Sequence, residues 1–193
     1  MKLKFPVAAF VLALTTVAAH AQLGLYFNPI VSRIGISTQD TGPFAFLGAN
    51  KTSQIFGGVD YGGYYEFSHQ PKLNFGVDAR FIDEHGNNAS LDSFLIGARI
   101  STRPMVFNLR PYLQIMGGEG RSKSPQSPVH ITKAEYGAFL GVDKALNRHV
   151  DWRLLELGYS SVSTISSETY GGTTPIPAAK LINASTGFVF RFP

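Results

Sequence analysis

The side chains that could carry chemistry are few and poorly grouped. The chain has no cysteine, which excludes a thiolate nucleophile, a thiolate metal site, a disulfide framework and a lipid-modified cysteine. His85 follows Asp83 and Glu84, a grouping that could ligate a metal, but the other loop histidine, His130, lies on a separate segment and fixes no geometry with it. His69 and His149 read as solvated turn residues. Ser160, Ser161 and Ser163 stand beside Glu156 with no histidine at a neighbouring spacing, so a serine nucleophile would lack its base. Gly57-Gly58, Gly62-Gly63 and Gly117-Gly118 precede no helix and are not phosphate cradles; they suit tight backbone curvature. Asn88-Ala89-Ser90 matches the glycosylation triplet by chance composition alone. No catalytic residue, cofactor or metal ligand is assigned.

The elements that must position these residues are strands. From 73 to 82, Leu73, Phe75, Val77, Ala79 and Phe81 alternate with Asn74, Gly76, Asp78, Arg80 and Ile82, the period-two pattern of a strand with two unlike faces. The pattern recurs over 94–101, 109–116, 133–143 and 181–192, and less sharply over 54–67. Residues 23–32 form the weakest strand, because Pro29 interrupts them. In 150–160, Arg153 and Glu156 differ in parity, and a β-bulge near Leu154 and Leu155 would bring both to one face. Short links at 68–72, 102–108 and 144–149 alternate with longer ones at 35–53, 83–90, 118–130 and 161–178. Eight antiparallel strands with short turns at one end and long loops at the other predict an all-β, up-and-down transmembrane barrel, with both termini at the short-turn end.

The charges indicate which face is outside. On the polar faces stand Arg80, Arg99, Arg110, Lys133, Arg153 and Arg191 against Asp60, Glu66, Asp78, Glu135, Asp143 and, if bulged inward, Glu156. A soluble exterior would be denser in Lys and Glu, whereas balanced pairs suit a narrow interior. We expect an interior network in which Arg80, Arg99 and Arg110 pair with Asp60, Asp78 and Glu135. The apolar face then meets lipid, with Tyr26, Tyr61, Tyr65, Phe67, Trp152 and Phe192 as candidate girdle aromatics. The alternative is a soluble, lipocalin-like binding barrel with its apolar face inward.

Composition and the N-terminus agree with export. Charged residues make up 16% of the 193-residue chain and hydrophobic ones 44%, with 20 Gly, 15 Phe and 8 Tyr; an ordinary soluble domain carries roughly 25% charge. Residues 1–21 read as a secretory signal peptide: Lys2 and Lys4, an apolar run over 7–19, and Ala19-His20-Ala21 as the cleavage site. Lys2 and Lys4 supply two of the four net positive charges, so basicity gives no support to a nucleic-acid partner. Residues 22–193 are expected to form the barrel domain, with no second domain.

At this point the chain resembles the small eight-stranded outer-membrane barrels of Gram-negative-type bacteria, of the OmpA, OmpX and opacity-protein kind, over residues 22–193. The resemblance is carried by Tyr136-Gly137-Ala138-Phe139-Leu140-Gly141-Val142-Asp143, by Trp152-Arg153-Leu154, and by Thr186-Gly187-Phe188-Val189-Phe190-Arg191-Phe192. It implies that the barrel-assembly machinery reads the terminal aromatic signal of Phe188, Phe190 and Phe192, displaced by one residue because Pro193 follows. It also implies a monomer in the outer-membrane bilayer, with a structural or surface-interaction role through its loops and an unidentified surface ligand. A small low-conductance pore and a lipid-modifying enzyme are the alternatives.

Overall fold

The computed structural model describes residues 22–40, 46–47, 50–70, 72–125, 130–162 and 178–192. Residues 1–21, expected as a signal peptide with Ala19 and Ala21, lie outside them, as does Pro193. Eight strands follow one another round a closed barrel: β1 (Gln22–Asp40), β2 (Lys51–His69), β3 (Leu73–Gly86), β4 (Ala89–Thr102), β5 (Leu109–Lys123), β6 (His130–Ala145), β7 (Val150–Val162) and β8 (Ala179–Phe192). Every neighbouring pair is antiparallel, and β8 closes on β1.

Alternation places the side chains. On β8, inward and outward positions alternate without a break. Asp60 and Arg80 are 0% exposed, whereas Ile55 and Ile115 on the outer wall are each 65% exposed. A wall that is apolar outside and charged inside is the reverse of a soluble barrel, and the lipocalin alternative fails on that distribution. Tyr61, Phe67, Trp152 and Phe192 face outward. Tyr26, expected among them, is buried inside the barrel instead, because its parity matches Asn28 and not Phe27.

Several strands run further than their pattern suggests. The segment 83–90, read as a long loop, is a hairpin that leaves only Asn87 and Asn88 unpaired. Both have positive φ, 52° and 61°, as a two-residue type I′ turn requires. A short 3-10 turn (Val106–Asn108) lies between β4 and β5. β1 and β2 reach 19 residues each, about twice the 9–11 that a membrane crossing needs.

The bulge lies in β7. Val142 pairs with Leu155 but Asp143 pairs with Arg153, and on the other side Arg153 pairs with Gly187 but Glu156 with Ser185. One extra residue on β7, at Leu154, brings both Arg153 and Glu156 inward. The ladder between β1 and β8 is also interrupted at this height, between Phe27 and Ile30, where Pro29 offers no N–H. Thr186 Oγ1 donates to the Arg153 carbonyl at 2.8 Å, satisfying an acceptor that the bulge frees. Thr186→Val is expected to cost about 1 kcal/mol, read as a lower urea midpoint, while Thr186→Ser keeps the wild-type midpoint.

Candidate functional site

The interior is the most organised part of the molecule. Arg80 on β3 binds Glu156 through two nitrogens, at 2.9 and 3.1 Å, and Gln114 at 2.6 Å; Asp60 lies 3.6 Å and Asp78 4.0 Å from it. Asp78 accepts from Tyr26 and from Gln114, each at 2.6 Å. Arg153 spans Asp143 at 3.0 Å and Glu156 at 3.4 Å, and Tyr112 donates to Glu156 at 2.6 Å. Arg99 joins Asp143 at 3.3 Å to Glu66 at 3.5 Å. Glu66 in turn accepts from Ser101 at 2.6 Å and Asn74 at 3.1 Å. The three arginines and their carboxylates thus form one connected network, which is how charges this deeply buried are tolerated.

Aromatic rings separate the guanidinium groups. Arg99 lies between Tyr64 and Tyr112, 4.1 and 3.9 Å from the ring centres. Arg153 lies between Tyr112 and Tyr26 at 4.8 and 4.5 Å. Arg80 lies between Tyr26 and Phe139 at 5.6 and 4.0 Å. Ring and cation therefore alternate in a single column: Tyr64, Arg99, Tyr112, Arg153, Tyr26, Arg80, Phe139. Each desolvated cation–ring contact contributes on the order of 2 kcal/mol.

Glycines make the column possible. Tyr26 stands opposite Gly62, Tyr64 opposite Gly24, Tyr112 opposite Gly141 and Phe139 opposite Gly158 on the neighbouring strand. A Cβ at Gly24, Gly141 or Gly158 would collide with the ring across from it, and one at Gly62 with the Tyr26 hydroxyl and the Ala79 carbonyl. The ring lies down over the bare backbone, which a side chain there would prevent.

The expected charge residues are redistributed. Arg110 pairs with Asp151 at 4.0 Å, and Arg191 binds the same carboxylate at 2.8 Å; Asp151 was not among the expected acids. Its parity with Arg153 along β7 was the available signal. Glu135 pairs with no arginine: it accepts from Ser93 at 2.6 Å and Ser160 at 2.9 Å. Glu84 is buried and accepts from Ser32. Lys133 is half-buried near the loop end of β6, and no ion pair of the described residues includes it. The balance of six against six therefore gives way. Four buried arginines and the partly buried Arg110 face eight buried carboxylates.

Apolar layers close the column toward the loops. Ile30, Ile82, Leu95, Met116 and Phe139 form one plate. Beyond the serine-bound Glu84 and Glu135, a second plate gathers Ile34, Phe56, Leu91, Val162 and Leu181 around Phe46 and Leu47. Phe46 and Leu47 come from the segment linking β1 to β2, and Phe46 stacks on Phe56 at 5.4 Å. Among the described residues no group of three His, Asp or Glu side chains could hold a metal. His85 contacts Asp83 at 3.2 Å on the outer wall while Glu84 points inward. Phe188, Phe190 and Phe192 all point outward from β8, each about half exposed.

No family model and no curated protein matches the sequence. Solved structures do. The chain is similar to Neisserial surface protein A, at 16% identity and a TM-score of 0.55, over 88% of this chain and 97% of that one. It is similar to Ail, the attachment invasion locus protein of Yersinia pestis, at 11% identity and a TM-score of 0.50, over 89% and 99%. The likeness is one of fold.

Proposed function

We propose that the chain is an outer-membrane β-barrel of the small OmpA, OmpX and opacity-protein kind, with a structural or surface-interaction role. It is exported by its signal peptide, delivered through the barrel-assembly machinery by its terminal Phe188, Phe190 and Phe192, and monomeric in the bilayer. One observation carries the reading. The interior is filled by the ring–guanidinium column and closed by two apolar plates, while the outer wall is apolar. Such a barrel suits lipid and leaves conduction little room. Interaction then falls to the loop end, through the segments at 35–53 and 161–178, and catalysis has no part in the proposal.

The test has two parts. The protein from the outer-membrane fraction should migrate faster unboiled than boiled on a gel, as a folded barrel does. Inserted in planar bilayers it should give no discrete current steps. Discrete steps would favour the pore, and a periplasmic, heat-insensitive protein would overturn the membrane reading. Altered lipid A masses in a deletion strain would favour the lipid-modifying enzyme.

A further inference from the structure

The outer wall carries a groove that the interior network does not explain. It has a volume of about 620 Å³ and runs over β7, β8, β1 and β2 near the loop end, lined by Arg33, Gly35, Ser53, Tyr159, Lys180 and Ile182 among others. Arg33 and Lys180 are both exposed and point away from the barrel interior. Arg33 pairs with Ile182 and Gly35 with Lys180 across the β1–β8 seam. The two cations are therefore diagonal neighbours on one face, about 7–8 Å apart at the backbone. Gly35, which pairs with Lys180 on one side and Ser53 on the other, lies between the two heads. Arg33 Nη2 donates to Ser53 Oγ at 3.4 Å, which fixes the guanidinium over β2, and Ser161 adds a further hydroxyl to the lining. No carboxylate lines the groove among the described residues.

Height on the wall tells what kind of anion would reach it. On β8 the outward residues run Phe192, Phe190, Phe188, Thr186, Ala184 and Ile182, apolar but for Thr186, and Lys180 is the next outward position. Ten residues at about 3.3 Å each, tilted roughly 40°, span about 25 Å, the height of a lipid-facing band. Lys180 thus stands where the band ends and headgroups begin. The opposite wall is different: there Asp83, Asp92 and Glu119 stand with the single cation Arg121. Gly35 leaves the space in front of Lys180 open, and a Cβ there would meet the Thr52 carbonyl at 3.5 Å and Ser53 Cβ at 3.7 Å, ordinary contacts.

We propose that this groove is a binding site for one phosphate-bearing lipid of the outer leaflet. The phosphate sits over Gly35 between Arg33 and Lys180, with the hydroxyl of Ser53 beside it, and the acyl chains run down the apolar wall past Tyr159 and Ile182. The proposal rests on the membrane reading given above, and the test separates the two.

Native mass spectrometry of the folded protein, released from octyl glucoside micelles, would be run with dioleoyl phosphatidic acid as the probe. Dioleoylglycerol and inorganic phosphate serve as the two comparison ligands. Wild type should retain one phosphatidic acid, and neither comparison ligand should match it. Arg33→Gln and Lys180→Gln should each weaken binding about five-fold, and together about thirty-fold. Gly35→Val should weaken it with both charges in place, whereas Arg121→Gln should leave it unchanged. Equal retention by the double variant, equal retention of dioleoylglycerol, or binding of inorganic phosphate alone would each overturn the lipid site. The heat-dependent gel shift is followed on every variant. Its loss in the wild type overturns the membrane reading, and its persistence with variant-independent binding overturns only the lipid site.

Discussion

Arg80→Ala should lower the unfolding free energy by about 3–5 kcal/mol, because it strands carboxylates that have no access to water. Arg80 is the only cation within 4.0 Å of Asp60 and of Asp78 among the ion pairs of the described residues, and it shares Glu156 with Arg153. It also separates Tyr26 from Phe139, so the substitution opens the column as well as the charge network. The measurement is urea unfolding of the folded protein in detergent, followed by fluorescence of Trp152, the one tryptophan. Adding Asp60→Asn to Arg80→Ala should recover part of the loss, since a charge left without a cation within 4.0 Å is removed. A single variant as stable as wild type would show that Arg80 is not what holds these acids.

Gly141→Val should be at least as damaging, although glycine carries no charge and makes no hydrogen bond through a side chain. The added carbons occupy the place of the Tyr112 ring. That ring lies 3.9 Å from Arg99 and 4.8 Å from Arg153, and its hydroxyl donates to Glu156. Displacing it costs packing and leaves buried charges short of partners, so a loss above about 3 kcal/mol is expected, or no heat-shifted band at all. Because Gly141 and Tyr112 form one contact, Tyr112→Ala combined with Gly141→Val should be no less stable than the worse single variant. Additive losses would show that the ring and the glycine act independently.

How much of this was legible beforehand differs along the chain. The faces of β3 follow from ten residues of clean alternation, and Asp78 and Arg80 stand inside where that alternation puts them. The bulge was legible because two charges of opposite parity, Arg153 and Glu156, had to share one face. The column was not. Tyr26 reads as a girdle residue, since a tyrosine suits either side of such a wall. Its place opposite Gly62 is a property of register between two strands, and the pattern of one strand does not contain it. The partners of Glu135 were hidden for the same reason: Ser160 lies on the neighbouring β7 and Ser93 on β4, two strands away, both distant in sequence. Asn87-Asn88 carried a hairpin signal, but the surrounding His85, Gly86 and Ser90 resemble loop composition and masked it.

The length of β1 and β2 bears on reach. Arg33 stands at the edge of the apolar band, and β1 continues to Asp40, paired there with Lys51 of β2. The pairing slips between Gly35 and Asp40, so the rise is that of β2 from Ile55 to Lys51, four residues at about 3.3 Å each and roughly 40° of tilt, about 10 Å. The barrel therefore ends in a pedestal rather than flush with the membrane surface. A large globular protein approaching from outside would meet the tip before it met the lipid, so the height at which encounters begin is set by the strands themselves.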